Sequence, residues 1–383
     1  MRIGLDGIPL TKPKTGVGHY TFELARALAL IAPADDFQLI SPLPYASPPV
    51  SNICEQGMPP NLQAIQAVVS GVGKHWWTIG LPSYIRRNPL ALFHGTNYDV
   101  PVLGGCPTVL TIHDLASHLH PETLQSRSVR RARYRLPIMA LRATMIVTPT
   151  QVVRLEVCER FRIKPEKVVA VHHAPRSCFR PLPLEQASET TRRLGIEDDF
   201  LLFVGTIEPR KNLLTLVRAF ADVLKATSLR PQLVIAGQEG WLTDELFAYV
   251  KEVDFGDRLR WTGYVSDEDL CALYSSCRAF IYPSIYEGFG LPPLEAMACG
   301  APVITSSIPS ITEVLGTAAR LVVPTDVHAL SKSIIELWEN ADERQRLSKA
   351  GQTRAAEFSW ARTARLTRDV YEAALRSGNA KGL

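Results

Sequence analysis

Short apolar runs alternate along the chain with segments whose apolar residues recur at helical spacing. Residues 2–9 read as a buried strand, and residues 20–31 place Phe22, Leu24, Ala25, Leu28 and Ile31 close to a helical period. Residues 37–41, 64–69, 91–94, 108–112, 145–149 and 168–172 read as further strands. Strands alternating with helices predict a parallel sheet covered by helices on both faces. The pattern breaks over residues 174–194, a polar stretch with three prolines that reads as a linker. Beyond it the alternation restarts, with strands at 200–205, 232–237, 279–283, 302–305 and 320–323. Helices are expected at 212–225, at 266–277 behind Ser266 as N-cap, and from 326 onward. The fold class is therefore α/β, two doubly wound, Rossmann-like domains at 1–183 and 184–360, with a ligand expected in a cleft at the carboxyl ends of both sheets.

Composition narrows the class. The 383 residues are 46% hydrophobic and 21% charged, ordinary for a globular protein and excluding disordered, collagen-like and coiled-coil chains. The apolar stretch at 136–148 is broken by Pro137 and Arg142 and is too short to span a bilayer. Asp6 and the prolines after it do not suit a signal peptide, so a cytoplasmic location is expected. The cysteines at 54, 106, 158, 178, 271, 277 and 299 are odd in number, widely spaced and without a CxxC, against a disulfide framework or a zinc site. The net charge of +4 hides an asymmetry: residues 1–183 carry 20 Lys and Arg against 11 Asp and Glu, the remainder 22 against 27. A basic first half is expected to meet something anionic, with nucleic acid, lipid headgroups and a phosphorylated ligand all open at this point.

The most informative segment is residues 282–306. It holds Glu287 and Glu295 with seven residues between them. Gly288 and Gly290 flank Phe289 and let the backbone approach a ligand, and Leu291, Pro292 and Pro293 suit a helix start, whose free amides favour an anion such as a diphosphate. Each Glu alone reads equally as a loop residue or a complement to the helix dipole. A second constellation, Glu208-Pro209-Arg210-Lys211-Asn212, follows a strand and precedes a helix. Arg210 supplies a planar fork and Lys211 a point charge, a good pair for a diphosphate that gains charge as it leaves.

These residues resemble the E-x7-E signature and phosphate-binding turn of retaining glycosyltransferases of the GT-B fold, family 4 (group 1), and most resemble the bacterial mannosyltransferases of surface-polysaccharide assembly. The likeness runs along roughly the whole chain and is strongest over 201–323, where Thr206, Ala236-Gly237 and Gly263-Tyr264 also match. It implies that Glu287 orients the donor sugar, that Glu295 holds the ribose, and that Thr206, Gly263, Tyr264, Gly288, Phe289, Gly290 and Leu291 line the donor. The chain departs from the pattern at Thr206, where many relatives carry Arg, which leaves open how many cations face the phosphate. The likeness further implies that Gly16-Val17-Gly18 closes over the diphosphate, that His113, at the end of a strand, contacts the donor sugar, and that the last helix, about 361–383, returns to the first domain. His94 and Asn97 are expected on the acceptor side.

The function this implies is retaining transfer of a hexose, mannose from GDP-mannose as best guess over a UDP-sugar, to a saccharide or polyprenyl-diphosphate-linked acceptor. No cofactor beyond the nucleotide sugar is expected, and no metal, because the only DxD spacing, Asp267 and Asp269, reads as the start of a helix. Arg127, Arg130, Arg131, Arg133, Arg135 and Arg142 lie beside Leu136, Ile138, Met139 and Leu141 and read either as a solvated face or as a surface for an anionic bilayer, which would put the enzyme at the inner face of the plasma membrane. Nucleic acid is set aside, since no recognition module accompanies the arginines. The rival readings are a nucleotide-sugar epimerase of similar architecture and a non-catalytic nucleotide-sugar-binding subunit. An oxidoreductase fails on the missing GxGxxG.

Overall fold

The computed structural model describes residues 1–12, 16–45, 57–68, 75–197 and 199–379. Two compact units emerge. The first comprises Met1–Leu115, Arg130–Ala174 and Phe358–Leu383, the second Ala116–Val129 and Pro175–Glu357. The first is built on a parallel sheet of β1 (Arg2–Asp6), β2 (Asp36–Ser41), β3 (Leu62–Gln66), β4 (Leu92–Gly95), β5 (Thr108–Thr111), β6 (Met145–Thr148) and β7 (Val168–Ala170), in the order β3-β2-β1-β4-β5-β6-β7. The second has β8 (Phe200–Val204), β9 (Gln232–Ala236), β10 (Leu259–Gly263), β11 (Ala279–Tyr282), β12 (Val303–Ser306) and β13 (Arg320–Val322), in the order β10-β9-β8-β11-β12-β13.

Helices cover both faces of such sheets, so their strands read as continuous apolar runs rather than alternating ones. In β9 all five residues are buried, and Phe200, Phe203 and Phe280 of β8 and β11 are wholly enclosed. Removing one such ring costs roughly 3–5 kcal/mol. In each sheet the strand order reverses once, between β1 and β4 and between β8 and β11. At such a switch point the loops leaving the two strands part in opposite directions and open a crevice beyond their carboxyl ends. Leu201 pairs with Ala279 and Leu202 with Phe280, so the residues after β8 and after β11 emerge side by side.

Several boundaries differ from expectation. The strands predicted at 2–9 and 168–172 stop at Asp6 and Ala170, and a short 3-10 turn, Ile8–Leu10, follows β1. The strand predicted at 64–69 is β3, two residues earlier; 69 itself lies outside the described residues, as do Cys54 and residues 13–15. The stretch predicted as a linker contains a helix, Leu184–Arg193, which buries Ala187 and Thr191 and packs on the helix Asp267–Ser276. Its prolines lie before the helix, where they do no harm, and its single thin apolar stripe hid the period. The units meet at Ala174/Pro175 and Glu357/Phe358 rather than at 183/184 and 360/361. The last helix, Trp360–Asn379, belongs to the first unit, where it packs on the helix Gly16–Ile31.

The arginine-rich helix Ser126–Arg142 divides its residues differently from the sequence reading. Leu136, Met139 and Ala140 are core residues, and Arg135 is tied to Asp99 at 2.5 Å. The exposed apolar side chains are instead Tyr134, Ile138 and Leu141. No helix among the described residues is long and apolar enough to cross a membrane.

Candidate functional site

Glu287 lies in the loop that leaves β11, and Arg210 and Lys211 sit in the short turn Pro209–Lys211 that follows β8. The adjacency of the two strands brings them together. Lys211 Nζ is 2.6 Å from Glu287 Oε1, and Arg210 Nη1 is 2.9 Å from Glu287 Oε2. Tyr282, the last residue of β11, donates its hydroxyl to Glu287 Oε1 at 2.9 Å, and the Lys211 ammonium lies 4.9 Å from its ring centroid. Arg210 also bonds Glu208 at 2.6 Å and the Tyr286 carbonyl at 3.0 Å. Burial alone pushes the Glu287 carboxyl up, but Arg210 and Lys211 outweigh it and hold the group at about 2. The Lys211 ammonium is pushed down by burial, against the pull of Glu287. The result is a buried carboxylate, ionised at any physiological pH, with two cations fixed beside it.

Asn212 follows in the left-handed region at φ 58°, and its amide bonds the carbonyls of Pro283 and Pro324, which locks the cation turn onto the β11 loop. Four residues beyond Glu287 the helix Leu291–Ala298 begins, with proline in its first turn. Gly290 enters it at φ 90°, and a Cβ there would stand 2.3 Å from Ile311 Cδ1, so only glycine fits. Gly288 and Phe289 are buried, and Leu291 is half-buried. Glu295 lies on the second turn, 4% exposed, and its carboxylate is held by Arg176 rather than standing open.

The other expected donor-side residues lie at the carboxyl ends of strands of the same sheet. Thr206 is exposed immediately after β8, and Gly263, at φ 69°, and Tyr264 are exposed at the end of β10. Gly237 follows β9 at φ 155°, where a Cβ would collide with the Gly205 carbonyl at 2.0 Å. Asp267 and Asp269 open a helix behind Ser266, whose side chain accepts the Asp269 N–H. Both are engaged by arginines, Asp267 by Arg176 and Asp269 by Arg193.

In the first unit, Gly16, Val17 and Gly18 form the first turn of the helix Gly16–Ile31. Gly16 is exposed, and among the described residues nothing lies within 4 Å of where a Cβ would stand. His113 follows β5 and is half-buried, edge-on to Tyr20 and Tyr98. Its Nε2 is 2.8 Å from the Thr96 carbonyl, so Nε2 carries the proton and Nδ1 is the acceptor of the neutral ring. Burial lowers its pKa and keeps it neutral. His94, expected on an acceptor side, is a core histidine: both nitrogens are taken, by Tyr371 and Thr111 at 2.7 Å each, and burial drives its pKa to about 3.

Arg176 was passed over by the sequence reading, and Tyr282 and Glu208 stood there only as the first residues of two segments, with no role given. Arg176 acquires meaning through Glu295 and Asp267, 119 and 91 positions away, Tyr282 through Lys211 and Glu287, 71 and 5 positions away, and Glu208 through Arg210. The excursion Ala116–Val129 was equally hidden. It leaves the first unit's sequence but packs within the second, where Trp241 Nε1 donates to the Thr123 carbonyl at 2.9 Å and the His120 ring lies 5.1 Å from that of Tyr286. It therefore borders the residue next to Glu287.

Residues 188–354 match the family model described as glycosyl transferases group 1, and residues 14–174 that of glycosyltransferase family 4. O-antigen chain mannosyltransferase B of Escherichia coli is 30% identical over 97% of this chain and 100% of its own. O-antigen chain mannosyltransferase RfbU of Salmonella typhimurium is 26% identical over 88% and 92%. Among solved structures, sucrose-phosphate synthase from Thermosynechococcus elongatus superposes with a TM-score of 0.76 at 20% identity, covering 98% of this chain and 100% of that one. WaaG, a glycosyltransferase involved in lipopolysaccharide biosynthesis, gives 0.74 at 15% identity, covering 97% and 99%. With its two parallel-sheet units and its two glutamates and paired cations at the β8/β11 switch point, the chain belongs to the group 1, family 4 glycosyltransferases and has their GT-B fold.

Proposed function

We propose that the chain transfers mannose, with retention of configuration, from GDP-mannose to a saccharide or polyprenyl-diphosphate-linked acceptor in the assembly of a cell-surface polysaccharide of O-antigen type. The observation that carries this reading is the Glu287, Arg210 and Lys211 cluster, a fixed negative charge and two fixed positive charges within one crevice. Transfer separates charge in that sense: the sugar carbon turns positive as the diphosphate leaves with its electrons. Arg210 and Lys211 face the diphosphate and Glu287 the sugar, so the field is in place before reaction and costs no reorganisation during it. The acceptor hydroxyl attacks on the face the phosphate leaves. The bond from the sugar carbon to the phosphate oxygen breaks, the bond to the acceptor oxygen forms, and the acceptor proton passes to the departing phosphate.

Glu295 receives the nucleoside hydroxyls. Thr206, Gly263, Tyr264 and the Gly288–Leu291 amides complete donor binding by the second unit. No metal is assigned a role: Asp267 and Asp269 are already neutralised by arginines, and the diphosphate has cations of its own. The mannose assignment is supported by the relatives named mannosyltransferases. The arginine-rich helix Ser126–Arg142 is proposed to touch an anionic membrane that carries the acceptor.

The test is incubation with GDP-mannose, UDP-glucose and UDP-N-acetylglucosamine, with and without acceptor, followed by NMR of the product linkage. An α-linked mannoside formed only with GDP-mannose and acceptor supports the proposal. A β-linked product overturns retention, and a changed sugar released without acceptor makes the chain an epimerase.

A further inference from the structure

Arg176 stands at the start of the second unit, one residue after Pro175, and is only 7% exposed. Its Nε is 2.7 Å from Glu295 Oε1 and its Nη2 is 3.3 Å from Glu295 Oε2, a two-point grip on one carboxylate. Its Nη1 is 2.6 Å from Asp267 Oδ1, and its guanidinium lies 4.5 Å from the Phe179 ring centroid. Asp267 and Phe179 thus fix the plane of the guanidinium, and the guanidinium fixes Glu295. A lysine could supply the charge but not the planar fork. Glu295 lies eight positions after Glu287, on the helix that the Glu287 loop leads into, and among the described residues its ion pair is with Arg176, whereas Glu287 pairs with both Arg210 and Lys211.

We propose that Arg176 is a positioning residue for the donor, gripping the Glu295 carboxylate from behind so that its remaining lone pairs accept a vicinal pair of nucleoside hydroxyls. This rests on the reading of Glu295 as the nucleoside contact. The grip sets orientation first, since a buried glutamate without it has several rotamers and loses entropy when a ligand selects one. It also sets protonation. Burial pushes the Glu295 carboxyl up, Arg176 opposes that, and Asp267 adds to it. Without Arg176, Glu295 is left buried beside a second carboxylate, and a proton on it removes acceptor capacity.

The other titratable groups packed around Glu295 leave this effect legible. Tyr274, on the Asp267–Ser276 helix, is held well above its ordinary range by burial, and Cys299, one turn on from Glu295, is raised by its bond to Cys271 and by burial. Cys271 itself is lowered to about 7, chiefly by that bond to Cys299, 3.8 Å away. It is unchanged in every variant below and cancels in the comparison.

The experiment is calorimetric titration with GDP and with UDP, using whichever the wild type binds more tightly, at pH 5.5, 7.0 and 8.5. The proteins are wild type, Arg176→Ala, Arg176→Lys, Glu295→Gln and the double variant Arg176→Ala/Glu295→Gln, with circular dichroism confirming the fold of each. Arg176→Ala should lose about tenfold or more in affinity at pH 7. Its deficit should be larger at pH 5.5 and smaller at pH 8.5, as Glu295 regains its charge. Arg176→Lys should recover part of the affinity and most of the pH independence, and it keeps the test open if the alanine variant fails to fold. The double variant should bind no worse than Glu295→Gln alone. A deficit for Arg176→Ala that is the same at all three pH values, or a double variant that sums both losses, would show that Arg176 acts on the scaffold and overturn the inference alone. Wild-type affinity in Glu295→Gln would remove Glu295 from the nucleoside and the inference with it.

Discussion

Lys211 Nζ and Glu287 Oε1 are 2.6 Å apart, although 76 positions separate the two residues in the chain. Parallel pairing of β8 with β11 brings them together, and Asn212 fastens the two loops through the Pro283 carbonyl. The cation expected at the diphosphate and the anion expected at the sugar are therefore one buried pair. In the proposed reaction a diphosphate would share Lys211 with Glu287, and charge separation in the transition state would strengthen both contacts at once.

Glu287→Gln keeps the shape of the side chain and removes the charge. Turnover should fall about a hundredfold or more, as for other lost preorganised electrostatics, with a much smaller change in the donor Michaelis constant. Steady-state kinetics with circular dichroism as a folding control decides it. Near wild-type turnover would reduce the spacing of the two glutamates to a coincidence of a loop and a helix.

Lys211→Ala should weaken nucleoside-diphosphate binding and slow transfer together, by about 2 kcal/mol or more for a desolvated charge-assisted contact. Part of any stability loss will come from Glu287, left with Arg210 alone. Calorimetry with GDP separates the two: unchanged diphosphate affinity in a folded variant would remove Lys211 from the phosphate site.

Asp6, at the end of β1, is 2% exposed, and burial pushes its carboxyl up to about 8. Its native form is protonated at neutral pH, whereas the unfolded chain ionises near 3.8, so this group lowers stability progressively as pH rises from about 4 to about 8 and no further above that. Asp6→Asn keeps an acceptor for the Ile8 N–H, which now bonds Oδ1 at 3.0 Å, and cannot ionise. Urea unfolding of the first unit should show the variant equal to wild type near pH 4 and more stable near pH 8. An equal gap at both pH values would mean that Asp6 is ionised in the native protein.

Activity should survive excess EDTA, since Asp267 and Asp269 already meet Arg176 and Arg193. Loss of transfer that Mg²⁺ or Mn²⁺ restores would show that Arg210 and Lys211 do not suffice for the diphosphate.

The strands were legible because a parallel sheet buried on both faces writes itself as unbroken apolar runs, as in residues 200–203 and 233–236. Their order was not, because hydrophobic patterning says which face is buried and nothing about which neighbour lies alongside. The β8/β11 adjacency that unites Lys211 with Glu287 is a fact of topology. Glu287, Arg210 and Lys211 were readable as residues because glycines, prolines and an Asn at fixed offsets mark the turns around them. Arg176 had no such marks. Its importance comes from Glu295 and Asp267, 119 and 91 positions away, and only the folded chain supplies them. The helix Leu184–Arg193 escaped for a different reason: with only Ala187 and Thr191 buried, it has too thin an apolar stripe to show a period.

The last prediction concerns the helix Ser126–Arg142. Tyr134, Ile138 and Leu141 are 70%, 49% and 63% exposed, and their spacing of four and three places them on one stripe. Arg127, Arg130, Arg131, Arg133 and Arg142 are exposed on the same helix, while Leu136 and Met139 anchor its other side in the core. An apolar stripe among cations suits the interface of an anionic bilayer, where each cation contributes about 1 kcal/mol and the stripe adds area-dependent burial. The two contributions separate by salt. Flotation with phosphatidylglycerol vesicles should show binding that weakens as salt rises and falls sharply when Arg130, Arg131 and Arg133 become Glu. Tyr134→Ser, Ile138→Ser and Leu141→Ser together should leave the salt-sensitive part and remove the binding that persists at high salt. Equal binding to phosphatidylcholine and phosphatidylglycerol vesicles would deny the arginines a role, and no binding to either would leave the helix a plain solvated face.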